Sequence, residues 1–196
     1  MKSYLQKDKK IYFETIKCKD YEIFNLKYHN KRISNTIGLN IELREYIYPP
    51  NGKLLRCKLI YDENGILDIE YFEYKEKDFE IFKIIIDDNI DYKYKYLNRF
   101  HIEQLYSKKG IADDIIIIKN GLITDTSIAN IAILKDEKWI TPKKPLLYGT
   151  TRDKLIEKSY IKEEDINLQD LKNSKKIAIM NAMIGFKELK NIQIIY

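Results

Sequence analysis

The sequence predicts an α+β fold with mixed sheets. Three observations predict it. Strand-like segments, alternating or rich in β-branched residues, recur along the chain. Two of the breaks between them, Glu63-Asn64-Gly65 and Asn120-Gly121, carry hairpin turn chemistry. Helical spacing is confined to isolated segments, so no regular βαβ series runs through the chain.

Taken in order, residues 11–18 and 21–27 read as two strands joined by a turn near Asp20. Ile33, Ile37, Ile41 and Ile47 sit near helical spacing and predict a helix from His29 to about Ile47, stopped by Pro49, Pro50, Asn51 and Gly52. Residues 53–61 and 66–75 form a predicted hairpin, and 79–87 a further strand. The short polar stretch Asp87-Asp88-Asn89-Ile90-Asp91 is the expected boundary between two lobes, 1–88 and 92–196. Beyond it the pattern predicts a helix over 98–108 ending near Gly110, and strands 113–119 and 122–134 turned at Asn120-Gly121. WITP closes another strand, a helix over 151–160 opens after Gly149-Thr150, and a short helix at 167–173 precedes a strand at 176–181.

Composition narrows the class. A chain of 196 residues with 44% hydrophobic and 12% aromatic content is globular, with ample length for a core. Its 35 basic and 30 acidic side chains leave a net charge of only +5, and lysines are interspersed with acids. That mixture reads as a solvated surface, not a nucleic-acid face. Arginine is rare; Arg32, Arg44, Arg56, Arg99 and Arg152 are the whole set. In so lysine-rich a chain, arginine suggests a need for its planar fork. Cys18 and Cys57 form no CxxC pair, and His29 and His101 are too few for a metal cluster, so no metal is expected. The start MKSYLQKDKK lacks the apolar core of a signal peptide, and no apolar run approaches bilayer length. A reduced, cytoplasmic protein without a membrane partner is expected.

Three strings carry the chemistry: KYLNR at 95–99, NGLITDTSIAN at 120–130 and YGTTRD at 148–153. A lysine can form a Schiff base, a downstream acid can keep a pyridine ring protonated, and Gly-Thr-Thr opening a helix can bind phosphate. On residue type alone Lys95 is one lysine among many, with Lys93 two positions away, and Asp125 could equally be a turn residue. Thr150 and Thr151 could be an ordinary helix start.

In that order the three strings resemble the class IV aminotransferase family, whose members hold pyridoxal 5'-phosphate (PLP) on a lysine in the fold-type IV scaffold. The resemblance implies two small α/β lobes with mixed sheets, a homodimer and a small-molecule substrate. It implies Lys95 as the Schiff-base lysine and Asp125, standing where the family usually has glutamate, as the partner of the ring nitrogen. Arg32 of HNKR, Thr150, Thr151 and the backbone of Ala182 and Met183 in MNAM match the phosphate cup. Within the family, Phe13-Glu14-Thr15, Asn98-Arg99 and Asn181-Ala182-Met183 look like aminodeoxychorismate lyases, and Phe100 stands where many transaminases have tyrosine. The implied reaction converts 4-amino-4-deoxychorismate to 4-aminobenzoate and pyruvate, with Lys95 as base, Thr15 assisting departure of the leaving group, and Arg99 or Arg56 meeting a substrate carboxylate. A D-amino-acid or branched-chain aminotransferase, or a non-catalytic member of the family, are the other readings. Two departures stand out. Asp125 is one methylene shorter than glutamate, and KKIY replaces the glycine-rich GDG that commonly precedes the FET string.

Overall fold

The computed structural model describes residues 10–196; the polar start MKSYLQKDK lies outside the described residues. The chain divides into two compact units. One extends to Glu73 and takes in Tyr94–Asn98; the other comprises Tyr74–Lys93 and Arg99–Tyr196. This differs from a single boundary at 87–91, and hydrogen bonding explains why. The strand Ile81–Ile86 pairs in parallel with Asp114–Lys119 and belongs to the second unit's sheet. Residues 94–98 return to the first unit because Phe13 N–H donates to Lys95 C=O at 2.9 Å and Leu97 N–H to Ile11 C=O at 2.8 Å.

The first unit contains β1 (Tyr12–Lys19), β2 (Glu22–Ile23), α1 (Leu26–Ile37), β3 (Leu55–Asp62) and β4 (Gly65–Glu73). Its sheet has the order β2-β1-β3-β4 and is antiparallel throughout. The predicted strand at 21–27 shrinks to two residues, because the chain turns left-handed at Asn25 and enters α1 at once. The helix stops at Ile37 rather than near Ile47. Gly38 adopts φ 77° and its N–H bonds back to Ser34 C=O, the usual left-handed stop. Ile33 and Ile47 nonetheless share one core, with Ile37 and Ile41 packed against it. Their spacing recorded a common buried face, not a single helix. Tyr12, Ile16 and Cys18 of β1 face that core with Leu55, Cys57, Leu59 and Tyr61 of β3. By strand alternation Phe13, Thr15 and Lys17 lie on the other side of the sheet, and Thr15 is opposite Lys58 and Lys17 opposite Arg56.

The second unit contains β5 (Ile81–Ile86), α2 (Phe100–Tyr106), β6 (Asp114–Lys119), β7 (Leu122–Thr126), β8 (Asn130–Lys135), β9 (Lys138–Pro142), α3 (Thr150–Glu157), β10 (Ile161–Glu164), α4 (Leu168–Asn173), β11 (Ile177–Asn181), β12 (Gly185–Glu188) and β13 (Gln193–Ile195). The sheet runs β10-β9-β8-β7-β6-β5-β13, with β11 also on β8 and β12 on β11. β5 is parallel to β6 and to β13, and β9 to β10; the remaining pairs are antiparallel, as expected of a mixed sheet. The isoleucine run of β6 is buried throughout, and α2 packs against this strand. β10, β12 and β13 were not foreseen. No helix among the described residues is long and apolar enough to cross a membrane.

The predicted strand 122–134 breaks in two. Thr126 Oγ1 accepts from Ile128 N–H at 3.3 Å and Ala129 N–H at 3.0 Å, so a threonine side chain turns the backbone out of the ladder. Only Asp125 and Asn130 remain paired between β7 and β8.

At the start of α4, Asn167 accepts from Gln169 and Asp170 N–H groups while Asp170 bonds back to the Asn167 N–H, a complete capping box. Asn167→Ala is expected to cost about 1 kcal/mol, read as a lowered denaturant midpoint.

Candidate functional site

In the first unit, β1 alternation carries a carboxylate into the core. Glu14 is fully buried, and both of its oxygens are engaged. Arg32 Nε donates to Oε1 at 2.8 Å, Arg32 Nη2 bonds Oε2, and His29 Nδ1 lies 2.6 Å from Oε2. Burial raises the Glu14 pKa, but the Arg32 charge and the bonds from His29 and Arg32 outweigh it and hold the carboxyl at about 2. Burial lowers the His29 pKa, keeping the ring neutral beside an ionised acceptor. His29 Nδ1 is therefore the donor, and Nε2 is a buried atom without a partner.

Lys95 is half-buried in the same unit, and its Nζ lies 4.6 Å from the centre of the Phe13 ring. Lys93 is exposed. Because Phe13 and Thr15 share a face of β1, the Lys95 amine and Thr15 occupy the same side of this sheet. Arg56, on that side too, stacks on Phe72 at 4.8 Å.

In the second unit, Asp125 is 5% exposed and accepts from Asn130 Nδ2 at 2.7 Å and Leu147 N–H at 2.9 Å, one bond to each oxygen. Burial raises its pKa to about 7, opposed by Leu147, Asn130 and the Arg152 charge. Gly149 is the N-cap of α3 and no side chain caps the helix, whose first internal bond runs from Asp153 N–H to Gly149 C=O. Thr151 is 5% exposed and its Oγ1 has no partner. An uncapped helix start beside an unpaired buried hydroxyl suits an anion. Arg152, 1% exposed, anchors this start by donating to Pro142 C=O at 2.9 Å and Glu163 at 2.6 Å.

Ala182 and Met183 lie in the turn between β11 and β12. Asn181 Oδ1 accepts from Met183 N–H at 2.9 Å and Ile184 N–H at 3.1 Å, so the Met183 amide already has an acceptor. Arg99 donates one N–H to Ser127 C=O at 2.6 Å and braces the turn after Asp125. Within the first unit Lys95 and Thr15 lie on one side of the sheet, while Arg32 bonds Glu14, which alternation puts on the other; within the second, Asn130 links Asp125 to the start of α3 that carries Thr150 and Thr151. Sequence reasoning missed Glu14, His29 and Asn130 as residues of the site. Each stood inside a string quoted for a neighbour: Glu14 beside Thr15, His29 in HNKR, Asn130 closing TDTSIAN.

The family model for amino-transferase class IV matches residues 93–192. The chain belongs to this family. As a class IV member it is 36% identical over 190 residues to an uncharacterized Haemophilus influenzae protein, covering 88% of this chain and 97% of the relative. A crystal structure from Haemophilus somnus, provisionally named a 4-amino-4-deoxychorismate lyase, superposes with a TM-score of 0.83 at 32% identity, covering 90% of this chain and 97% of that one. A Schizosaccharomyces pombe protein provisionally named an aminodeoxychorismate lyase is 36% identical over 83 residues, 39% of this chain and 35% of its own length. These matches establish the fold-type IV architecture.

The class IV fold is that of a PLP-dependent family, and each unit, taken by itself, carries residues of the kind that group takes. Lys95 offers an amine, Asp125 a buried carboxylate, and the start of α3 an uncapped helix with an unpaired Thr151 hydroxyl.

The depressed Glu14 pKa has a consequence for stability. Because it falls from 4.5 to about 2, its contribution is complete above pH 4.5 and disappears as pH drops towards 2. Glu14→Gln is expected to cost roughly 3 kcal/mol at neutral pH. Between pH 4.5 and 2, urea midpoints of the variant should fall less steeply than those of the wild type.

Proposed function

We propose that the chain is a PLP-dependent lyase converting 4-amino-4-deoxychorismate to 4-aminobenzoate and pyruvate. The observation that carries this reading is the placement of the Lys95 amine and Thr15 on one side of the first unit's sheet. Elimination needs a base and a proton donor, and here they share a face. The Haemophilus somnus structure, provisionally named for this reaction, supports it along nearly the whole chain.

Bound PLP would supply a covalent hold on the substrate amine and a sink for the electron pair left on its carbon. Lys95 Nζ takes the proton from the ring carbon bearing that amine. Thr15 Oγ1 gives a proton to the enol oxygen as the carbon–oxygen bond breaks and takes one back from solvent. Loss of the proton and of enolpyruvate leaves an aromatic ring, and the enol becomes pyruvate. Asp125 serves the ring nitrogen, while Arg32, Thr150, Thr151 and the Ala182 backbone serve the phosphate; the Met183 amide is taken by Asn181 Oδ1. The substrate carries two carboxylates, and Arg56 and Lys58 lie on the Thr15 side of the sheet. Arg99 keeps further N–H groups beyond the one given to Ser127. A homodimer in the cytoplasm completes the reading, and sedimentation tests the dimer.

Borohydride reduction after incubation with PLP, followed by peptide mass mapping, is expected to place a phosphopyridoxyl group on Lys95. An adduct on Lys93 would move the base elsewhere, and no adduct would favour a non-catalytic member. Lys95→Ala should abolish pyruvate release from aminodeoxychorismate, and Thr15→Val should slow it by about 10²-fold or more. Keto-acid formation from amino acids without pyruvate release from aminodeoxychorismate would mark an aminotransferase instead.

A further inference from the structure

The proposed chemistry gives no role to Asn130, the last residue of TDTSIAN. Its side-chain nitrogen donates to Asp125 Oδ1 at 2.7 Å and to Leu147 C=O at 2.8 Å, while Leu147 N–H donates to Asp125 Oδ2 at 2.9 Å. The three groups form a closed ring of hydrogen bonds, and the ring holds both Asp125 oxygens. The amide oxygen of Asn130 points a different way. A Cβ built on Gly149 would stand 2.0 Å from Asn130 Oδ1 and 3.2 Å from its Cγ, with the next atom, Arg152 Cβ, 3.8 Å off. Gly149 has φ −77° and ψ 144°, a conformation open to any residue. The glycine is required by Asn130, not by the backbone.

We propose that Asn130 is a positioning residue that joins two anchors, the ring-nitrogen partner Asp125 and the phosphate-binding start of α3. The inference rests on the PLP reading above. A pyridine ring and its phosphate are held at a nearly fixed separation by covalent bonds, so the groups that receive them must be spaced to match. One side chain in contact with Asp125, Leu147 and Gly149 sets that spacing within a single unit. Asp125 is short for its role, and with both oxygens held it has no freedom to adjust by side-chain rotation. The Asn130–Leu147 ring therefore decides where its carboxylate stands.

The test uses the full chain and three probes: PLP, pyridoxal, which lacks the phosphate, and 1-deaza-PLP, which lacks the ring nitrogen. The ratio of PLP to pyridoxal affinity reports the phosphate anchor, and the ratio of PLP to 1-deaza-PLP affinity reports the ring anchor. Thr151→Val should lower the first ratio alone and Asp125→Leu the second alone. Asn130→Leu should lower both, each by roughly tenfold to a hundredfold, the range for losing a hydrogen bond to a charged group. A fall in the second ratio alone would overturn the inference, as would an equal loss of affinity for all three probes. If Thr151→Val and Asp125→Leu leave both ratios at the wild-type values, the PLP reading itself is wrong, a different result. Gly149→Ala gives an independent arm, because its new methyl group displaces the Asn130 amide. Gly149→Ala and Asn130→Ala should each lower the phosphate ratio, and the double variant should be no worse than either. Additive losses in the double variant would overturn the link through this contact.

Discussion

A carboxylate taken out of water has to be met by donors, and the second unit is organised around meeting that of Asp125. The side chain sits at the end of β7, where the next strand would ordinarily run on in register. Instead the chain turns over Ser127–Ala129 and returns Asn130 directly opposite Asp125. The segment after β9 then brings the Leu147 N–H to the other oxygen. Left unanswered, a buried polar group of this kind costs several kcal/mol, enough to outweigh the poor ladder between β7 and β8. The strand break, the asparagine and the missing side chain at Gly149 are consequences of one requirement.

The first unit meets the same requirement differently. Glu14 has a full opposite charge in Arg32 and a neutral donor in His29, so it stays ionised far into acid. Asp125 has only neutral donors in its hydrogen-bond set, and burial brings its pKa to about 7. Two buried acids of one chain thus have opposite electrostatic settings. Glu14 is a permanent anion that orients an arginine. The charge of Asp125 near neutrality responds to whatever cation is placed against it.

Much of this was legible in the residues. The hairpin at Glu63-Asn64-Gly65, the turn at Asn120-Gly121 and the helix opening at Gly149 announced themselves through local chemistry that tertiary structure had no reason to override. Lys95, Asp125 and Thr151 could be singled out because their strings occur together and in order. What escaped were features set by long-range packing. Ile41 and Ile47 mimic helical spacing because they reach the same core from separate turns. Glu14 gave no sign of burial, since a charged residue on an alternating strand reads as a solvent-facing position until its partners on α1 are known. Asn130 could not be recognised as a clamp without knowing that Leu147 and Gly149 come to meet it. β13 is only three residues long, and only its partner makes it a strand.

That last pairing bears on the order in which the protein can be made. β5 is an isoleucine-rich strand flanked on one side by β6 and on the other by Gln193–Ile195, which the ribosome adds after the other described strands of the sheet. Until those residues are made, its outer row of amide and carbonyl groups stands open, a template on which a neighbouring nascent chain could dock. Gln193–Ile195 act as a selvedge for the sheet, and the interval before they emerge is when β5 has most to gain from a chaperone.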